Sequence, residues 1–533
     1  MKKLLCLSLC AALLLTGCGK PTDTPPTENI QETTVPVVTE AVKDITGPVV
    51  DILLDGQNVT VSGNAPGVCT SRDIIYYADK TSYPSGNPYG DGEAWEMHTQ
   101  EEADAHLVVN ITAPGSYRIS GKLDKGQIRI DLGEDAASDP SAVVNLILDG
   151  ADITCTVAPA ILFLNVYECD NAWSVETATP DVDTTAAGAN LILAENSKNT
   201  VSGSHVAKIY KDKEGEKKLW KQDGAVYSYM SLNVYGPGAL DIQADNEGLD
   251  SELHLTIFGG DINIRSGNDG INTNEDGVSV TAIHGGTLRI LAGLGEEGDG
   301  IDSNGYLVIY GGIVISSAHP AADAGLDSDL GSFIHGGTVI ALGSAMDWAE
   351  SDSGQVTMNL QFAREQTGDI RITLEDGTEV FSFDPASDPL LRENIRSYRG
   401  LILSCPGFRV GDTYHVFAGG LQMAYTGTDV MRGPGGFFPG EGVQRPEGGI
   451  DIPEDRDPAD MPQPPEGDFT FPPQPSEGMD PQPQGNPPTG PQGQPPQAPP
   501  GGFGNPTGQE GDPSTLFRMQ DKVNFFSGLT PVS

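Results

Sequence analysis

Paired glycines recur through the middle of the chain at Gly259-Gly260, Gly285-Gly286, Gly311-Gly312 and Gly336-Gly337, in steps of 26, 26 and 25 residues. The residues around them repeat in register. Three positions before the second glycine stand Ile257, Ile283, Ile309 and Ile334; two positions after it stand Ile262, Leu288, Val314 and Val339. Each set returns at the same place in every repeat, so each points to one side of the coil throughout. A constant period that returns the same apolar residue to the same place predicts a coil of short strands whose like residues stack into interior ladders. A sandwich imposes no such register. The fold class expected is all-β, a single-stranded parallel β-helix of about 25 residues per coil, over 106–354. Short β-branched runs such as "LVVNITAPGSYRISG" and "AVVNLILDGADITC" extend the strand pattern towards the N-terminus. Only "SDPLLRENIRSYRG" (387–400) suggests a short helix.

The flanks differ in composition. Residues 1–18 carry Lys2 and Lys3, then an apolar run ending in "LTGC", which has the form of a bacterial lipobox. That resemblance implies cleavage before Cys18 and a lipid on its sulfur, placing the protein on the extracellular face of the membrane and touching the membrane through this anchor only. Residues 19–65 begin as a Thr/Pro-rich stretch and are expected to be a tether. Residues 66–105 and 355–431 are expected to cap the two ends of the coil. The Pro/Gly/acid-rich segment 432–515 has too few apolar residues for a core and reads as disordered, while 516–533 turns apolar again and is expected to dock back. Of seven cysteines, four lie beyond Cys18; Cys155 and Cys169 either bridge or stay as buried thiols. With 75 acids against 30 bases, the net charge of -45 excludes nucleic acid as a default partner.

A second motif repeats within the coil: "EGLDS" (247–251), "DGINT" (269–273), "DGIDS" (299–303) and "AGLDS" (324–328), with "DGAVYS" (223–228) as a degenerate earlier copy. Its apolar residue is expected in the core. The residues beside it then form two outward columns: Glu247, Asp269 and Asp299 before the glycine, with Asp323 nearby in the fourth copy, and Asp250, Asn272, Asp302 and Asp327 after the apolar position. Carboxylates about 4.8 Å apart repel by roughly 1 kcal/mol in water and by more in a lower dielectric. Solvation, with Asp and Asn serving turn chemistry, is one relief. A hard cation such as calcium, which takes oxygen ligands, is the other. Glu296 and Glu297 belong to an insertion found in one coil and read as a solvated loop.

A third column precedes the glycine pairs: Tyr235, Phe258, His284, Tyr310 and His335. These flank the interior isoleucines and are expected to point outward. They are either a stabilising ladder of rings or a platform for sugar rings.

Together these residues resemble the bacterial carbohydrate-binding domain-containing proteins, the likeness running from about Val108 to Gly343 through "LNVYGPGALDI", "NEGLDS", "LTIFGGDINI" and "NDGINT". The resemblance implies a right-handed parallel β-helix of pectate-lyase-like architecture, calcium in the turns, and binding of cellulose-like or acidic pectin-type polysaccharide by a monomer. A lyase or hydrolase on the same fold, or a structural adhesin, are the alternatives. A calcium-dependent lyase needs a Lys or Arg base beside the metal; between Asp223 and Asp352 the sequence offers only Arg265 and Arg289, both read as surface-pair residues. No nucleophile motif is present, so no catalytic residue is expected.

Overall fold

The computed structural model describes residues 43, 45–63, 65–78, 89–90, 92–170, 173–210, 218–430 and 513–532. The lipobox with Cys18, the Thr/Pro-rich stretch up to residue 42 and most of the Pro/Gly-rich segment lie outside the described residues. The chain separates into Met1–Val37 and Val38–Ser533, and every described residue belongs to the second unit.

The described chain is mostly β, with large parallel sheets that follow the glycine period. Strands Glu247–Ser251, Leu255–Ile257 and Asp261–Ser266 make one coil. Ile271–Thr273, Val280–Ile283 and Thr287–Leu291 make the next, and Ile301–Ser303, Tyr306–Ile309 and Ile313–Ser317 the one after. Each strand pairs in parallel with its counterpart one coil on. The register is the one the repeat dictates. Ile257 lies beside Ile283, which lies beside Ile309 and then Ile334. Ile262, Leu288, Val314 and Val339 form the second ladder. All eight are essentially without solvent exposure. Such a core is β-helix-like: non-directional apolar burial fills the tube, and hydrogen bonds between coils satisfy the backbone.

The second glycine of each pair turns the chain sharply. Gly260, Gly286, Gly312 and Gly337 have φ of 114°, 81°, 83° and 85°, a region that other residues rarely adopt. A Cβ on Gly286 would also sit 2.5 Å from the Gly260 carbonyl of the previous coil. The glycine period is therefore required twice over, by conformation and by the closeness of the coils.

Both ends of the ladders carry antiparallel strands, which satisfy edges that would otherwise invite pairing with other chains. Val68–Ser71 pairs with Leu107–Ile111 at one end, and Tyr398–Ser404 with Thr338–Gly343 at the other. Thr357–Gln366 pairs in parallel with Val523–Pro531, where Phe525 and Phe526 are buried; Phe517 is buried on a separate strand beside Tyr414, and Leu516 stays 44% exposed. Trp348 meets Phe525 edge-on at 5.1 Å, so it packs the end of the coil.

Two expectations are corrected here, and one left open between two alternatives is decided. Part of the tether is structured: Val49–Gly56 pairs in parallel with Gly115–Leu123, turns at Gly56, and returns as Asn58–Val61. Ile52 and Leu54 alternate into the core there, a two-residue period masked by the Thr/Pro composition before it. The helix expected over 387–400 is a single 3₁₀ turn, Leu391–Glu393, followed by strand Tyr398–Ser404. Pairing of that strand with the coil end outweighs a weak local helix preference. Cys155 and Cys169 are free thiols, as are Cys69 and Cys405.

Candidate functional site

The acid motif lies on the strand ladder that runs Gly224–Ser228, Glu247–Ser251, Ile271–Thr273 and Ile301–Ser303. Its apolar residues Leu249, Ile271, Ile301 and Leu326 are fully buried. The acids do not face solvent as expected. Glu247 is 4%, Asp250 0%, Asp269 8% and Asn272 7% exposed. The antiparallel pair Val206–Tyr210 and Lys218–Gln222 leads into Asp223 and brings Lys221 to the acids.

Asp223, Glu247 and Asp250 each offer one carboxylate oxygen within 4.8 Å of the others. Asn272 donates to Glu247 Oε1 at 3.1 Å, and Asn274 donates to Asp250 Oδ1 at 2.6 Å. The second oxygens, Glu247 Oε2 and Asp250 Oδ2, are buried with no donor, and so is Asn272 Oδ1. A buried oxygen without a partner costs about 1–3 kcal/mol, and more if charged. Burial, then the Asp223 charge, pushes the Glu247 carboxyl up; burial, then the Glu247 charge, pushes Asp250 well up. Three carboxylates cannot remain ionised here without a cation.

One cation is supplied by the chain. Lys221 Nζ lies 2.7 Å from Asp223 Oδ2 and donates to Asn274 Oδ1 at 3.1 Å. Burial alone would lower its pKa, but the charges of Asp223, Glu247, Asp250 and Glu252 outweigh burial and raise it well above the usual value. Lys221 stands two residues before the window in which no lysine was found, so the expectation that no lysine lies by the acids is corrected. Held as an ammonium, it is poorly poised as a base. Three carboxylates and one ammonium still leave two negative charges, which one divalent cation would cancel. The oxygen-only donor set fits a hard ion.

The other expected ligands are arranged differently. Asp269 Oδ1 accepts from the Asp299 amide at 2.7 Å, and Asp299 Oδ1 from the Ala324 amide at 2.5 Å. Asp323 Oδ2 accepts from the Gly298 amide at 3.2 Å, and Asp327 Oδ1 from the Ser328 amide at 3.1 Å. Except for Asp327, these carboxylates tie one coil to its neighbour. Asp302 lies beside Asn272 in register; burial and then the Asp327 and Asp299 charges push it to about 7. Among the described residues, only Asp223, Glu247 and Asp250 converge as a possible metal group. Asp223 was missed as a ligand because its copy is one residue longer. Val226 pairs with Leu249 and Tyr227 with Asp250, so the Asp-Gly dipeptide was the usable signal.

The ring column is a true stack. Centroids of Tyr235 and Phe258 are 4.5 Å apart at 4°, Phe258 and His284 5.1 Å at 11°, and His284 and Tyr310 4.6 Å at 12°. Tyr310 and His335 follow at 5.4 Å and 31°. Tyr235 is buried and the other four are half-buried. Within the stack the faces are spent on one another, so mainly edges remain for a ligand. Arg265 pairs with Glu393 at 2.8 Å, while Arg289 pairs with the exposed Asp261 at 2.8 Å and the buried Asp388 at 3.3 Å, so both arginines are engaged by carboxylates.

A parallel, coiled β protein with a buried acidic centre in one strand ladder is thus the class that fold and site define. The model of the family described as carbohydrate-binding domain-containing protein matches residues 105–378, just over half of the chain, and the chain belongs to that family. A carbohydrate-binding domain-containing protein of Acetivibrio thermocellus is 28% identical over 193 residues, which cover 34% of this chain and 57% of that protein. The match therefore spans little more than half of that relative. A solved structure of a polysaccharide lyase-like protein from C. thermocellum, a gadolinium derivative, is 21% identical with a TM-score of 0.33, covering 54% of this chain and 93% of that one.

Proposed function

We propose that this protein binds polysaccharide outside the cell through a β-helix stabilised by calcium. The observation that carries the metal is the pair of donorless buried oxygens, Glu247 Oε2 and Asp250 Oδ2, beside Asp223. Asp223, Glu247 and Asp250 would hold the ion, with Asn272 Oδ1 next to them. Calcium is favoured over magnesium because it tolerates irregular oxygen sets. The ion supplies positive charge, which fixes three coils together from a buried position. The family membership supports carbohydrate as the ligand class; cellulose-like and pectin-type polymers are the two candidates. The coil is taken as right-handed, the hand favoured for parallel crossovers.

Lipid on Cys18 would hold the protein on the outer face of the membrane, as a monomer. Radiolabelled palmitate should enter the wild-type protein and not Cys18→Ser. A glycan array with and without calcium tests the main reading: binding to cellulose or pectin oligomers is expected, and an array blank in both conditions would remove it. A lyase is the second reading, favoured by Lys221 beside the acids. The ion pair to Asp223 supports binding instead, and no ultraviolet-absorbing unsaturated product should accumulate from polygalacturonate.

A further inference from the structure

The segment 166–188 joins strand Ile161–Asn165 to strand Ala189–Leu193 and is far longer than the other connections of the coil. Loops of this length inside a compact domain are usually functional. Its described residues run out across neighbouring coils and return. Glu168 accepts from the Ser231 amide at 2.7 Å and the Ser231 hydroxyl at 2.9 Å. Asp170 meets His254 Nε2 at 3.3 Å, one coil further. Asp181 accepts from the Tyr310 hydroxyl at 2.5 Å, two coils beyond that, and Val182 packs on Val280, Ala282 and Val308. On the way back, the Thr184 hydroxyl lies 2.7 Å from both Asn233 Oδ1 and Thr256 Oγ1. The segment is therefore anchored on four coils.

A cleft of about 330 Å³ opens beneath it. Trp173, Asp170, Asp181 and Asp183 line it from the segment, and His254 and Val278 from the coil. His254 is 1% exposed; its Nδ1 accepts from the Val280 amide at 3.1 Å, so Nε2 carries the proton and orients Asp170. The cleft thus combines one large flat apolar ring, carboxylates that accept strong hydrogen bonds, and threonine hydroxyls at Thr177 and Thr179. Its volume is at the lower end of the usual range for small-molecule sites. Sugars present the complementary chemistry: an apolar ring face for an aromatic and outward hydroxyls for carboxylates. No lysine or arginine is among the described lining residues, so a sugar acid would meet three acids and no counter-charge.

We propose that this cleft binds a neutral sugar unit of a polysaccharide, with Trp173 against the sugar face and Asp170, Asp181 and Asp183 accepting from its hydroxyls. The inference rests on the polysaccharide reading above and adds to it a place and a preference for uncharged sugar. The cleft is also distinct from the buried cation site, since none of its described lining residues is Asp223, Glu247 or Asp250.

The test is calorimetric titration of the full chain, in calcium, with cellopentaose and with penta-galacturonate. Trp173→Ala should weaken cellopentaose binding roughly tenfold, the order expected for losing one aromatic contact. Binding of penta-galacturonate and thermal stability should be unchanged, and Trp173→Phe should restore most of the cellopentaose affinity. Asp183→Asn is expected to weaken cellopentaose binding in the same direction. If Trp173→Ala binds cellopentaose as wild type does, or wild type binds only penta-galacturonate, the cleft inference is wrong while polysaccharide binding stands. If wild type binds neither oligomer, both readings fall.

Discussion

Two columns run along the same coil, one of acids and one of rings, and the same rung spacing acts on them in opposite ways. At about 4.8 Å, stacked aromatic rings gain about 0.5–1.5 kcal/mol per pair. At that spacing two carboxylates repel by roughly 3 kcal/mol in a dielectric near 20. The ring column therefore accounts for its own existence, and it needs no ligand. The acid column does not, because Glu247 and Asp250 are buried with oxygens that meet no donor. A repeat that satisfies itself is structural; a repeat left unsatisfied points to something bound. A third place in the molecule shows the alternative solution. His205 sits between Glu96 Oε1 at 2.9 Å and Asp245 Oδ1 at 3.1 Å, so there the chain provides the cation itself.

Removing calcium should separate the columns most clearly. Excess chelator at neutral pH is expected to lower the melting temperature by about 5 °C, since a ligand bound only to the native state at about 100 times its Kd adds about 2.7 kcal/mol. Scanning calorimetry would read this, and an unchanged transition would mean that no cation relieves the acids.

His205 sharpens the contrast between a bound cation and a resident one. Burial alone would lower its pKa, but the hydrogen bonds it donates to Asp245 and Glu96 raise it from 6.5 to about 10. A raised pKa means that its stabilisation is complete below about 6.5 and is lost as pH rises through about 10. Roughly 2 kcal/mol should disappear over that window, the size of charge-assisted hydrogen bonds. Denaturant titrations at several pH values should show the slope in wild type and lose most of it in His205→Gln.

Phe258→Ala interrupts the ring stack between Tyr235 and His284. It should cost about 1.5 kcal/mol, and calcium affinity should not move. A parallel loss of calcium affinity in isothermal titration would show that the two columns are coupled rather than independent.

Asp250→Asn should have the smallest effect on stability. With chelator present, the variant should be about as stable as wild type, because burial and the Glu247 charge already hold the Asp250 carboxyl neutral when no cation is bound. It should also lose most of the response of melting to calcium. Destabilisation in chelator would assign Asp250 a structural bond that the charge argument omits.

Much of the fold was legible because a β-helix writes itself as a period. The ladders Ile257–Ile334 and Ile262–Val339 follow from counting between glycines, and positive φ explains why those glycines cannot vary freely. The strand Val49–Gly56 was hidden because its partner, Gly115–Leu123, lies some sixty residues away. The site was half legible. Glu247 and Asp250 stand in the motif, yet Lys221 and Asp223 come from the start of another coil, where the repeat is blurred. The cleft at Trp173 was not visible at all, since nothing local says that segment 166–188 lies across His254 and Tyr310.

The sequence by itself determined the period, the ladder residues and the turns, because each depends on residues a fixed distance apart in one chain. Only the tertiary structure decided which faces are covered. Burial is set by what packs over a strand from elsewhere, and it turned an acid column expected in water into a buried charge cluster. It likewise left the outward ring column half-buried, with Tyr235 buried.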